Sequence, residues 1–177
     1  MSGHNKWSQI QHRKGIADVK RGALFSKLLA AISVAAKQEP NPNSNPRLRS
    51  AVEKARANKV PQDNIDRAIA RASEAKNLEE LLIEAYGPEG VGLLIEAITD
   101  NKNRTTSEIR HLLDEHDAKM ATPGSVQWSF VPPAGGTMEW KAKFQQPVSE
   151  EGKKKLLELV VSLEEHGDVQ KVITNAL

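Results

Sequence analysis

The spacing of apolar residues in this chain changes once, and that change limits the fold more than any other feature. Up to about residue 76 the apolar residues recur at intervals of three and four, the period of a helix face. Beyond that point two apolar runs, 78–86 and 91–99, flank Gly87-Pro88-Glu89-Gly90, and later stretches alternate polar with apolar. The run 78–86 taken alone fits helix or strand. A turn of this composition with a second apolar run behind it predicts a hairpin. The chain therefore reads as a helical part followed by a part built on a sheet. Its 177 residues are enough for one domain or two small ones with a real core.

In the first part, helical spacing begins near Asp18. Val19, Phe25, Leu28, Leu29, Ile32 and Ala36 form one stripe, which ends before the Pro- and Asn-rich stretch 39–45. Asn45 is a good N-cap and Pro46 suits the first helical position, so a second helix starts there and buries Leu48, Val52 and Ala55. A third short helix follows from about Gln62, with Ile65, Ala68, Ile69 and Ala72 inward. Residues 1–76 are predicted to form a three-helix bundle with a basic exterior.

Residues 77–177 are predicted to follow the order ββαββαβ. After the hairpin, 100–104 reads as a polar loop. Thr105-Thr106-Ser107-Glu108 offers cap chemistry to a helix carrying Ile109, Leu112 and Leu113 up to His116. Val126, Trp128 and Phe130 alternate through 125–130, and Met138, Trp140, Ala142 and Phe144 alternate through 137–145. Each pattern predicts a half-buried strand. A helix with Leu156, Leu157, Val160, Val161 and Leu163 stops at Gly167, and Val169, Val172 and Ile173 suggest a last strand. The fold class is α+β: an antiparallel sheet with helices on one face, preceded by the basic helical domain.

Charge divides at the same place. Residues 1–76 hold 15 Lys/Arg and 6 Asp/Glu, whereas 77–177 hold 10 and 17, so a net +9 half is joined to a net −7 half. Such a split marks a polyanion-binding face; the alternative is a solvated helix surface that happens to be rich in Lys and Arg. The opening, Gly3-His4-Asn5-Lys6-Trp7 to His12-Arg13-Lys14, gathers cations, two imidazoles and an indole and holds no carboxylate. Charged groups without partners are costly to desolvate, so this segment is built to meet something negative.

Several classes are set aside. There is no cysteine, which removes disulfides and thiolate metal sites and is compatible with a reducing compartment. The longest apolar run, 28–36, is broken by Ser33 and falls far short of the roughly 20 residues of a membrane span. No apolar signal region opens the chain. No Gly-x-Ser-x-Gly elbow or Walker-type loop is present. His111 and His116 are five apart and share no helix face, and the spacing of Asp100, Asp114 and Asp117 supports no magnesium site. Neither an enzyme nor a metal, cofactor or small-molecule substrate is expected.

Binding is the better-supported chemistry. The candidate contacts are His4, Lys6, Trp7, His12, Arg13, Lys14, Lys20, Arg21 and Lys27, with Arg47, Arg49, Lys54 and Arg56 as a second row. Lys and Arg neutralise phosphates and release counterions, which gives affinity that falls with salt. Trp7 is the stacking ring beside this basic segment, so serial stacking along a single strand is disfavoured, and backbone and shape recognition of a duplex or folded RNA fits better. Trp7 either stacks or anchors the segment onto the bundle. His4 and His12 either touch phosphate or fix the segment by local hydrogen bonds.

These residues resemble a known family. Gly3-His4-Asn5-Lys6-Trp7, Gln11-His12-Arg13-Lys14, Asn45-Pro46-Arg47-Leu48-Arg49, Val60-Pro61-Gln62-Asp63-Asn64-Ile65, Glu84-Ala85-Tyr86-Gly87-Pro88-Glu89-Gly90 and Thr99-Asp100-Asn101-Lys102-Asn103-Arg104-Thr105 are similar to the YebC family, and the likeness runs from end to end. Family members are usually longer, with a third domain inserted after the strand that here ends at Phe130; the short stretch 131–136 stands in its place. The resemblance implies a cytoplasmic, non-enzymatic regulator of gene expression. It implies either a DNA-binding transcriptional regulator or a ribosome-associated factor that relieves stalling on proline-rich nascent chains, with duplex DNA or ribosomal RNA as partner. A protein-interaction adaptor is the competing class. No helix carries the clustered base-reading residues of a helix-turn-helix, which favours structured RNA. In the 100–105 loop, Asn101, Lys102 and Arg104 are either a second contact or simply a cap and turn.

Overall fold

The computed structural model describes residues 3–75, 77–133 and 139–177, with side chains from residue 17 onward. The chain divides into two compact units at residues 75 and 76.

The first unit has three helices: α1 (Gly3–Ala36), α2 (Pro46–Ala57) and α3 (Gln62–Ala70). Leu28, Ile32, Ala35 and Ala36 of α1, Leu48, Val52 and Ala55 of α2 and Ile65 of α3 form its core, closed by Val60 and Ala72. Alanines at the contact let the helices approach closely. The start of α2 is as expected: Asn45 Oδ1 accepts from the Leu48 N–H at 3.0 Å, and Pro46 takes a position whose N–H has no helical partner anyway. The Asn45 amide also donates to the Ala35 and Glu39 carbonyls, both at 2.8 Å, so one side chain ties the end of α1 to the start of α2.

The start of α1 differs from expectation. The helix runs from Gly3, not from near Asp18, over 34 residues or about 50 Å. Val19, assigned to the apolar stripe, is 73% exposed, and every residue from 17 to 24 is exposed. Apolar spacing reports burial, and the exposed stretch 17–24 offers none.

The second unit is a mixed α+β fold. Its four-stranded sheet is antiparallel in the order β3 (Lys119–Met120), β1 (Glu79–Tyr86), β2 (Gly92–Thr99), β6 (Val169–Thr174). The β1–β2 hairpin pairs from Glu79 with Thr99 to Tyr86 with Gly92, so run 78–86 is strand. On one face Ile83, Ala85, Leu93 and Ile95 pack against Ile109 and Leu113 of α4 (Lys102–Glu115) and Leu156, Leu159 and Leu163 of α5 (Glu150–Glu165). On the other, Leu94 packs with Val126 and Phe130, and Leu82, Trp140 and Ile173 border them.

The segment between β3 and α5 departs from the predicted pair of long strands. Residues 127–129 form a 3-10 turn. Only β4 (Phe130–Val131) and β5 (Lys141–Ala142) are strands among the described residues, and they pair with each other, apart from the main sheet. Thr137 and Met138 lie outside the described residues, as does part of the expected 131–136 connection. Alternation held for Val126 and Phe130, which are buried, but Trp128 points out and is 63% exposed. The cause lies on β1. The buried Glu84 carboxylate accepts from the backbone N–H groups of Gly124, Val126 and Gln127 at 2.5, 2.6 and 2.9 Å. Those amides are therefore not free to build a ladder. β3 was not expected at all, and its two residues fall below the length at which alternation is readable.

The start of α4 is also corrected. Its cap is Asn101, whose Oδ1 accepts from the Arg104 N–H at 3.1 Å, so Thr105-Thr106-Ser107-Glu108 lies inside the helix. For α5 the cap is Ser149, which accepts from the Gly152 N–H at 3.0 Å while its hydroxyl donates to Glu89 in the hairpin turn. A Cβ at position 152 would lie 2.5 Å from Glu89 Oε1 and 2.6 Å from Val148 Cγ1, so glycine is required there.

Candidate nucleic-acid interface

The basic residues of the helical unit sit on the exposed sides of helices whose apolar stripes are spent on the core. On α1, Lys20 and Arg21 are exposed and Lys27 is half-buried beside Leu28. On α2 the helical period puts Arg47 and Lys54, seven apart, on one flank of the Leu48–Val52–Ala55 stripe, and Arg49 and Arg56, also seven apart, on the other. The expected second row is thus two short rows separated by the buried stripe. The side chains of His4, Lys6, Trp7, His12, Arg13 and Lys14 lie outside the described residues.

The Arg49–Arg56 row is braced. Arg49 donates through Nε to the Pro42 carbonyl at 3.1 Å and through Nη2 to the Asn43 carbonyl at 2.8 Å, which closes the loop between α1 and α2. Arg56 Nε donates to Gln62 Oε1 at 3.1 Å, and Gln62 Nε2 donates to Asp66 at 2.7 Å. On α3, Arg67 donates to Asn64 Oδ1 at 2.6 Å. A guanidinium has five N–H donors, so an arginine fixed by one or two of them still presents the rest. The amide of Gln62, by contrast, is engaged within the unit at both its oxygen and its nitrogen.

In the second unit, Asn101, Lys102 and Arg104 come together at the start of α4, each with a local partner. Asn101 is the cap. Lys102 Nζ meets Glu79 at 2.5 Å. Arg104 Nη2 meets Asp100 and Asp168, both at 2.9 Å, and its Nη1 meets Glu108 at 3.3 Å. The bond to Asp100, then the charge of Asp168, push the Arg104 pKa further up. Thr105 Oγ1 bonds Thr99 Oγ1 at 2.8 Å and Asp168 Oδ2 at 2.6 Å, and His166 Nε2 lies 2.9 Å from Glu108. Glu108, His166 and Asp168 have the residue types of a metal site, with ligating atoms within 4.8 Å of one another. The cation beside both carboxylates is Arg104. Sequence reading missed this network because Asp168 lies 64 residues from Arg104.

The chain is similar to known proteins over both units. Residues 5–75 match the TACO1/YebC protein N-terminal domain, and residues 78–134 match the TACO1/YebC second and third domain. The chain belongs to the TACO1/YebC family. A probable transcriptional regulatory protein of Koribacter versatilis is 51% identical over 134 residues, covering 74% of this chain and 54% of the relative. One of Geobacter sulfurreducens is also 51% identical, covering 73% and 54%. The chain thus spans about half the length of these curated relatives. The crystal structure of a conserved hypothetical protein, Aq1575, from Aquifex aeolicus superposes with a TM-score of 0.80 at 31% identity, over 90% of this chain and 91% of that one. The TACO1/YebC boundary between 75 and 78 falls where the chain changes from helices to sheet. Among the described residues no helix is long and apolar enough to cross a membrane.

Proposed function

We propose that this chain is a non-enzymatic nucleic-acid-binding regulator of gene expression that grips its target with the helical unit. The observation that carries the reading is the pair of cationic rows on α2, exposed on both flanks of its buried stripe, in a half of the chain with net charge +9. The names of the relatives, probable transcriptional regulatory proteins, support the same class. Our finer reading is a translation factor that associates with ribosomal RNA and eases stalls on proline-rich nascent chains, acting in the cytoplasm. Engagement of the Gln62 amide at both ends inside the unit supports it, since base-edge readout needs free amides whereas phosphate contact does not. Arg13, Lys14 and the other cations of the opening segment extend the contact in this reading, and Lys102 with Arg104 adds a second one. A DNA-binding transcriptional regulator is the alternative that the relatives' names favour.

Sedimentation with ribosomes over a salt series separates the two. The translation reading expects co-sedimentation at low salt that is lost steeply as salt rises. Absence of co-sedimentation at low salt, with tight sequence-selective binding to a promoter duplex, contradicts it. Retention of a protein complex with no nucleic-acid binding of either kind supports the adaptor instead.

A further inference from the structure

The chain has seven aromatic residues, and three of them are exposed together in the α+β unit. Trp128 is 63% exposed, Phe144 50% and Tyr86 41%. The Trp128 and Phe144 ring centroids are 5.5 Å apart with planes inclined at 46°. The Trp128 indole N–H and the Tyr86 hydroxyl both donate to the Ser125 carbonyl, at 2.8 and 2.9 Å. The polar edges of those two rings are thus satisfied inside the protein. Backbone N–H groups of Lys143 and Phe144 both reach the Ser129 carbonyl, which fixes Phe144 next to Trp128.

Leaving three large rings in water costs free energy that burial would recover. The surrounding charge indicates what covers them. The unit is net −7, yet residues 118–148 hold Lys119, Lys141 and Lys143 against the single acid Glu139, which is paired with Lys171 at 2.7 Å. Lys119 is paired in register with Tyr86, and Lys143 Nζ lies 5.2 Å from the Phe144 ring centroid. An apolar protein surface would fit the rings and gain nothing from the lysines. Unpaired nucleotides satisfy both, because each base offers a π-face to a ring and each phosphate a charge to a lysine.

We propose that Trp128 and Phe144, flanked by Tyr86 and supported by Lys141 and Lys143, form a stacking platform for unpaired bases of a single-stranded nucleic acid. This surface is separate from the α2 rows. The bases stack on the exposed faces of Trp128 and Phe144, while the lysines contact the phosphates on either side. Because every base has a π-face, the platform is tolerant of sequence. It deepens the nucleic-acid reading by assigning to the second unit a different form of the target: unpaired strand there, duplex or folded RNA on the helices.

The test measures binding of the full chain to a fluorescein-labelled, unstructured RNA of about 12 nucleotides and to the same strand annealed into a duplex. Trp128→Ala and Phe144→Ala are each expected to weaken the single strand by about 5- to 100-fold and to leave the duplex within about twofold. Trp128→Phe keeps a ring and is expected to retain most of the single-strand affinity. Thermal melting of each variant checks that the fold persists. Duplex binding unchanged in α2 variants, with the single strand still dependent on Trp128, would sink the helical reading and leave the platform standing. Single-strand affinity unchanged in folded Trp128→Ala, equal losses on both probes, or no single-strand binding by the parent chain overturns the platform. A change of oligomeric state on Trp128→Ala with RNA affinity unchanged overturns it too and assigns the patch to contact between copies.

Discussion

On α2 the guanidinium and ammonium groups stand in rows outside a small core of Leu, Ile, Val and Ala. In the α+β unit, the exposed Arg104 is paired with Asp100, Glu108 and Asp168, and Glu84 is buried among backbone N–H groups. The same residue types therefore serve different ends. In the first unit they flank the buried stripe on exposed sides of the helix. In the second they join distant segments, β1 to the 124–127 turn and α4 to the start of β6. Exposed charge contributes little to stability, whereas a buried, fully bonded charge is costly to disrupt. The two units should therefore respond oppositely when charges are removed: the first loses affinity, the second loses stability.

The largest expected effect is on the helical core. Leu48→Ala removes a fully buried side chain from a cluster with few large residues, and should cost about 2–5 kcal/mol. If the units unfold independently, denaturant melting followed by hydrogen exchange shows the first unit lost and the second retained. A single shared transition breaks the comparison. Glu84→Ala comes next. It leaves three backbone N–H groups at the 124–127 turn without their acceptor and should cost about 3 kcal/mol by chemical denaturation. An unchanged midpoint would mean that the turn holds without Glu84.

Thr105→Val probes the α4–β6 junction. It removes the hydroxyl bonded to Thr99 and Asp168 at nearly constant volume, with an expected loss of about 1–2 kcal/mol. The smallest effect is at Glu89. Its carboxyl is held below the usual carboxylate range by the side-chain hydrogen bond from Ser149, then by the Ser149 backbone N–H. A depressed carboxylate contributes stability that is complete above its unfolded pKa and is lost as pH falls through its folded one. Glu89→Gln should accordingly lower stability slightly at neutral pH and flatten the acid limb of the stability–pH curve, so that variant and parent converge as pH falls. A limb as steep as the parent's would assign it to other carboxylates.

Much of this architecture was legible in the sequence because it rests on local chemistry. Asn45-Pro46 announced α2, and Gly87-Pro88-Glu89-Gly90 between two apolar runs announced the β1–β2 hairpin. What escaped depends on distant partners or on the lack of burial. Residues 17–24 of α1 are exposed, so burial left no stripe to read there. The 125–130 stretch alternates like a strand, but Glu84, some 40 residues earlier, takes its amides. The cap of α4 is Asn101, in the stretch that reads as a polar loop, and Thr105 lies inside the helix with its hydroxyl bonded to the distant Asp168. The α2 cations were visible individually. Their separation into two rows follows from the period once the buried stripe is known, while the bracing of Arg49 by the Pro42 and Asn43 carbonyls is a loop geometry that spacing does not encode.

The direct test of the central claim is the salt dependence of binding to a structured RNA, compared between two charge-removal variants of the full chain. One carries Arg47→Gln and Lys54→Gln on α2; the other carries Lys153→Gln and Lys154→Gln on α5. If the helical unit grips phosphates, the α2 variant loses affinity and its log–log salt slope falls by about one for each contact removed, while the α5 variant keeps the parent slope. Equal slopes in the parent and the α2 variant, or a loss confined to the α5 variant, would contradict it.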